Sequence, residues 1–216
     1  YFRDVSGWEG ADWYAPAGHA PKVEKLSWGR ENWFPWWAAE HKAAREDAIL
    51  MDMSFMSKFL VQGRDAGRVL NWISANDVDG ASGRTTYTQW LNADGGIEAD
   101  VTVTRVAEDE FLVLSGPATV RRDLAHLKRN ITADDRCTVA DVGAGLAMLA
   151  VMGPDSRRLL ASLSDADFSN DAFPFGASRE IDFGLGYVRA TRITYVGELG
   201  WELLIPADIA RHVWSV

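Results

Sequence analysis

A chain of 216 residues, 47% hydrophobic and 25% charged, is long enough to bury a substantial core as one large domain or two small ones. Its formal net charge of -9 repels phosphate backbones, and no basic stripe offsets it, which argues against a nucleic-acid partner. The single cysteine, Cys137, rules out an intrachain disulfide and a cysteine-rich metal site, and reads as a buried thiol in a strand. No segment reads as a signal peptide, and the longest uncharged run, 142–154, is too short to span a bilayer. The chain starts at Tyr1 rather than a methionine and stops at Val216 in what reads as the opening of a helix, so a longer parent polypeptide is expected.

Residues 1–40 hold six of the ten tryptophans (Trp8, Trp13, Trp28, Trp33, Trp36 and Trp37), interleaved with Gly, Pro and charges. Such a stretch is too broken for long regular structure and too aromatic for disorder. It is either an arm packed on its own domain or a junction with a neighbouring one. A short helix is expected over 37–46 and strands over 48–53 and 58–61. Asp65 stands where it can cap a helix whose apolar positions, Ala66, Val69, Leu70 and Ile73, keep helical spacing until Asn76-Asp77 breaks it.

A strand over 85–91, a five-residue loop with Gly95 and Gly96, and an alternating stretch to Arg105 together predict a β-hairpin. In the second strand Ile97, Ala99, Val101 and Val103 fall on one face, and Glu98, Asp100, Thr102 and Thr104 on the other. Periodicity leaves two readings for Asp100: a carboxylate on a wet face, or a member of a pocket wall. A third strand follows at 111–114. After Pro117 comes a helix with Val120, Leu124, Leu127 and Ile131 on one stripe and Arg121, Arg122, Lys128 and Arg129 on a solvated face. Strands over 137–142 and 146–152 precede a helix opened by Pro154-Asp155-Ser156, with Leu159, Leu160 and Leu163 inward. Strands over 188–194 and 201–205 close the chain. Hairpins with helices inserted between them predict an α+β fold with antiparallel sheets.

Familiar catalytic signatures are absent: there is no dinucleotide fingerprint, no phosphate-binding loop with its lysine and no serine elbow. His19, His41, His126 and His212 lack metal-ligand spacing and read as surface or packing residues, so no metal site is expected. Activity therefore falls to carboxylates, aromatics and backbone. Besides the hairpin with Tyr87 and Asp100, the stretch 193–202 is unusual, because Glu202 sits between Trp201 and Leu203 in an otherwise apolar strand. Either Glu202 faces water, or it accepts N–H donors from a flat heterocycle with a tyrosine or tryptophan alongside.

Four stretches carry a resemblance: Gly7-Trp8-Glu9 with Trp13-Tyr14; Met51-Asp52-Met53-Ser54 to Lys58-Phe59; Tyr87-Thr88-Gln89 through Gly95-Gly96-Ile97-Glu98-Ala99-Asp100; and Tyr195-Val196-Gly197-Glu198-Leu199-Gly200-Trp201-Glu202. In this order they make the chain resemble the folate-binding aminomethyltransferase (glycine-cleavage T-protein) family. More closely, it looks like the C-terminal region of dimethylglycine and sarcosine dehydrogenases. The resemblance implies a T-protein-like fold lacking its C-terminal barrel, with 1–45 as a junction arm after a flavin domain and 46–216 as a tetrahydrofolate-binding domain. It implies Asp100 as the catalytic aspartate, Tyr87 and Tyr195 as folate-pocket tyrosines, and Glu202 as the pterin-binding glutamate. It also implies FAD elsewhere in the full-length enzyme, an iminium or formaldehyde from an N-methylglycine as substrate, no membrane, and a bacterial cytoplasmic or mitochondrial matrix setting. The chain departs from T-proteins in two places. Ala99-Asp100 replaces a pair of acids, and Gly116 stands where T-proteins have an asparagine.

Overall fold

In the computed structural model, residues 1–5, 7–20 and 28–216 are described. A short antiparallel pair, β1 (Phe2–Val5) and β2 (Trp8–Ala11), turns at Gly7 and opens the chain. It is the regular structure that the broken composition of the arm did not announce. Helix α1 (Phe34–Glu46) starts three residues before the expected point, because Pro35 sits in its first turn, where a missing N–H costs nothing. Trp13 is buried, with ring centroids 5.8, 6.5 and 5.4 Å from Tyr1, Trp33 and Trp36. This much of the arm packs on itself, whereas Trp28 and Trp37 are exposed. Residues 6 and 21–27 of the arm lie outside the described part.

The remaining strands form two five-stranded antiparallel sheets. The first has the order β5-β6-β7-β4-β8, with β4 Ser57–Gln62, β5 Arg84–Leu91, β6 Ile97–Ala107, β7 Glu110–Ser115 and β8 Thr138–Asp141. The second has the order β10-β11-β12-β9-β3, with β3 Ile49–Asp52, β9 Leu146–Met152, β10 Ser178–Phe183, β11 Gly186–Thr191 and β12 Gly200–Pro206. The fold is thus the antiparallel α+β arrangement expected. Strand β10 also escaped periodicity: its polar residues Arg179, Glu180 and Asp182 dilute a core face made by Ile181 and Phe183.

Three apolar layers hold these parts. On the outer face of the first sheet, Ala99, Val101 and Val103 of β6 pack with Trp90, Phe111 and Val113 against α2 (Ala66–Ile73) and α3 (Val120–Arg129). On the outer face of the second, Trp201, Leu203 and Ile205 of β12 pack with Phe168 and Phe173 and with Leu160 of α4 (Ser156–Ala161) and Val213 of α5 (Ala210–Ser215). Between the sheets lie Leu112 and Leu114 of β7, Met148, Ala150 and Met152 of β9, Leu204 of β12, and Met53. The period of two therefore sends alternate residues of β6 and β12 either outward to helices or inward to the other sheet.

Four local expectations need correction. Asp65 stands at the N-cap of α2, but its carboxylate accepts the Arg136 N–H (2.8 Å) instead of a helix amide. Leu159 is exposed, because α4 turns Ser156 and Leu160 inward instead. Thr104 is buried, its hydroxyl 2.7 Å from that of Thr85, so the polar face of β6 is dry at this end. Ile97, expected on the apolar face, is 70% exposed beside the hairpin loop, where the β5–β6 register shifts.

The inter-sheet layer is thin and rich in methionine, so truncating its centre should be felt by both sheets. Met148→Ala is expected to cost about 2–4 kcal/mol in urea unfolding, lowering the midpoint with little change in slope.

Candidate functional site

At one corner the two sheets are stitched by backbone. The Thr85 N–H donates to the Gly176 carbonyl (2.7 Å) and the Ser178 N–H to the Gly83 carbonyl (2.8 Å). Gly176 has φ +78°, and a Cβ there would lie 3.1 Å from Nη1 of Arg84 and 3.2 Å from the Thr85 carbonyl oxygen, so glycine suits the crossing. Beside this seam lies a cavity of about 370 Å³ lined by residues of both sheets.

The structure brings Tyr87, Asp100, Tyr195 and Glu202 together on that one cavity. Tyr87 and Asp100 come from the inward faces of β5 and β6. Asp100 is directly opposite Gln89 in the ladder, and Tyr87 is its diagonal neighbour. The Tyr87 hydroxyl donates to Asp100 Oδ2 (2.9 Å) and Gln89 Nε2 donates to Asp100 Oδ1 (2.9 Å). The hydrogen bond to Asp100 pushes the Tyr87 phenol up from its ordinary value, because the proton in the bond is held by the carboxylate. Asp100 is exposed and belongs to the cavity wall, so both halves of the sequence alternative hold at once. Ala99, its neighbour, is buried on the helix-facing side, where an acid would be desolvated.

Glu202 overturns the solvated reading. It lies in the middle of the second sheet, paired with Ala150 and Thr191, and is only 8% exposed. Among the described residues no donor hydrogen-bonds its carboxylate, and burial pushes its pKa up to about 7. Trp201, expected as a possible stacking partner, points to the other side and packs edge-on against Phe168 and Phe173. Tyr195 lies on the β11–β12 connection, with its ring largely exposed and its N–H directed at Met152 Sδ (3.2 Å). That connection is tied down by an ion pair between Arg45 and Glu198 (2.8 Å).

Several cavity residues escaped the sequence reading. Phe175 lines it from the loop after α4, and Met53, Met56 and Met148 form much of its apolar wall. Lys58 is fully buried, its Nζ donating to the carbonyls of Ser54 and Met56 (2.9 Å each), which pins the turn that carries Met53 and Met56. Burial pushes the Lys58 ammonium pKa down, while the charges of Asp141 and Asp52 oppose that shift. In the sequence Lys58 stood out only as part of the Met51–Phe59 stretch that carries the resemblance and as a lysine in an apolar strand. Among the described residues no cluster of three or more potential ligands could hold a metal ion, and no helix is long and apolar enough to cross a membrane. His126 is a packing residue beside Trp90 (6.1 Å), and burial pushes its pKa down.

The burial of Glu202 has a consequence for stability. A glutamate ionises near 4.5 when free and near 7 here, so the folded chain binds its proton more tightly than the unfolded one. Below pH 4.5 both states are protonated and there is no penalty. The penalty grows as pH rises from 4.5 and is complete above about 7, reaching roughly 3 kcal/mol. Glu202→Gln should therefore resist urea better than the parent at pH 8 and lose that advantage below pH 4.5. An advantage independent of pH would contradict the assignment.

The model of the GCVT N-terminal domain matches residues 1–216. The chain is 42% identical over 98% of its length to a 4-methylaminobutanoate oxidase (formaldehyde-forming) of Paenarthrobacter nicotinovorans, and 33% identical over 95% to the mitochondrial sarcosine dehydrogenase of Homo sapiens. It spans 26% of the length of each. Among solved structures, the glycine cleavage system aminomethyltransferase T from Bartonella henselae superposes with a TM-score of 0.77 at 25% identity, over 100% of this chain and 52% of that one. The chain belongs to the GCVT N-terminal domain family, as an aminomethyltransferase-type domain related to the sarcosine and dimethylglycine dehydrogenases.

Proposed function

We propose that this domain holds tetrahydrofolate in the inter-sheet cavity and passes to it the one-carbon unit released from an N-methylated amino acid, giving methylene-tetrahydrofolate. The observation that carries this reading is Glu202, a buried carboxylate without a donor among the described residues, on the same cavity as a carboxylate held by Tyr87 and Gln89. A flat heterocycle with adjacent N–H groups satisfies an acid of this kind, and the apolar and aromatic lining of the cavity suits its ring.

In this reading Glu202 accepts the pterin N–H donors, and Tyr87, Tyr195 and Phe175 flank the folate. Tetrahydrofolate supplies amine nitrogens that are already nucleophilic, so positioning accounts for most of the acceleration asked of the protein. Asp100 takes the proton displaced at the reacting nitrogen or stabilises positive charge there, a role worth roughly 10²–10⁴-fold. The one-carbon unit arrives as an iminium or as formaldehyde from a flavin domain of the same polypeptide, whose FAD is held by other residues, and 1–45 forms the arm between the two parts. We assign the parent enzyme to the bacterial cytoplasm or the mitochondrial matrix. The match to an aminomethyltransferase over the whole chain favours a second reading, a stand-alone enzyme of glycine cleavage. Flavin absorbance in the purified full-length protein supports the first, and its absence supports the second.

Tetrahydrofolate should quench tryptophan fluorescence in a saturable titration. Glu202→Ala is expected to weaken binding roughly 10- to 100-fold, whereas Asp100→Ala should leave binding nearly intact and lower transfer about 10²-fold or more. Unchanged affinity in the Glu202 variant would sink the pterin assignment.

A further inference from the structure

We propose that Gln89 is a positioning residue for transfer, setting the plane of the Asp100 carboxylate; this rests on the reading of the cavity given above. An aspartate on a strand turns about two side-chain bonds, and one hydrogen bond at Oδ2 leaves the carboxylate free to rotate about that contact. The second bond, from Gln89 Nε2 to Oδ1, removes this freedom. The ladder makes the arrangement reproducible, because Gln89 and Asp100 are directly paired across β5 and β6 and Tyr87 reaches the same group diagonally. Among the described residues Asp100 has no cationic partner, so its alignment comes from two neutral donors, a phenol and an amide. An ionised carboxylate has about four acceptor positions. Two are taken from the β5 side, and the others remain for a ligand in the cavity.

Gln89 itself does not line the cavity, so it acts through Asp100 and contributes little to affinity. Replacing the amide with a thioether of similar shape keeps the bulk on a half-buried position and removes the donor. The consequence is a carboxylate still present but misaligned, and misplacement on the order of an ångström is worth up to about 10²-fold.

The test is Gln89→Met in the full-length protein, with Asp100→Asn and the double variant beside it. Tetrahydrofolate affinity is followed by fluorescence, and transfer by formation of methylene-tetrahydrofolate. Gln89→Met is expected to lower kcat about tenfold with affinity within about twofold, and the double variant to be no slower than Asp100→Asn alone. Wild-type kcat in Gln89→Met, or losses that multiply in the double variant, would overturn the positioning role. Should Gln89→Met fail to fold, Gln89→Ala takes its place with the same expectations. Wild-type transfer in Asp100→Asn would instead overturn the reading of the cavity, and with it the role of Gln89.

Discussion

The site depends on the seam where the two sheets are tied by backbone. The bonds from Thr85 to Gly176 and from Ser178 to Gly83 join the edge strand β5 of one sheet to the segment entering β10 of the other. Because these are main-chain bonds at a crowded crossing, the sheets cannot slide past one another there without breaking them. Buried hydroxyl pairs, Thr85 with Thr104 (2.7 Å) and Thr191 with Ser178 (2.9 Å), add side-chain hydrogen bonds close by. The cavity lies beside the seam, so the distance between its walls is set by the seam as well as by the methionine layer.

From that constraint follows the contrast between the two acids. Asp100 sits at the open side of the first sheet, where water reaches it and two neutral donors hold it. Glu202 sits inside the second sheet, among apolar neighbours, with no donor to its carboxylate among the described residues. Two carboxylates on one cavity thus have different environments, one exposed and held by two neutral donors, the other buried in the middle of a sheet. The chain accepts a local loss of stability at Glu202, and in the function proposed above that acid is kept for binding rather than for folding.

Buried Lys58 and the ion pair of Arg45 with Glu198 show how the walls are supported from behind. Lys58 bonds to backbone oxygens of the turn carrying Met53 and Met56, and Arg45 anchors the loop carrying Tyr195. Neither side chain is in the lining of the cavity. Lys58 supports its wall through local contacts, to residues two and four positions back along the chain, whereas the Arg45–Glu198 pair joins a helix end to a loop 153 residues away, which no local pattern reveals.

The hairpin of β5 and β6, the apolar stripes of α2 and α3, and the antiparallel α+β class were legible in the sequence, because they follow from side-chain periodicity and turn chemistry over short windows. The motifs around Tyr87, Asp100, Tyr195 and Glu202 also marked out the candidate residues, but periodicity by itself left both acids undecided. Tertiary structure decided Glu202 by burying it, since whether a strand face meets water or another sheet depends on what packs on it. It likewise turned Trp201 away from the cavity and added Phe175 and the methionines to it. Those placements depend on strand register and on sheet packing between residues far apart in the chain, which is information that no single stretch of the sequence contains.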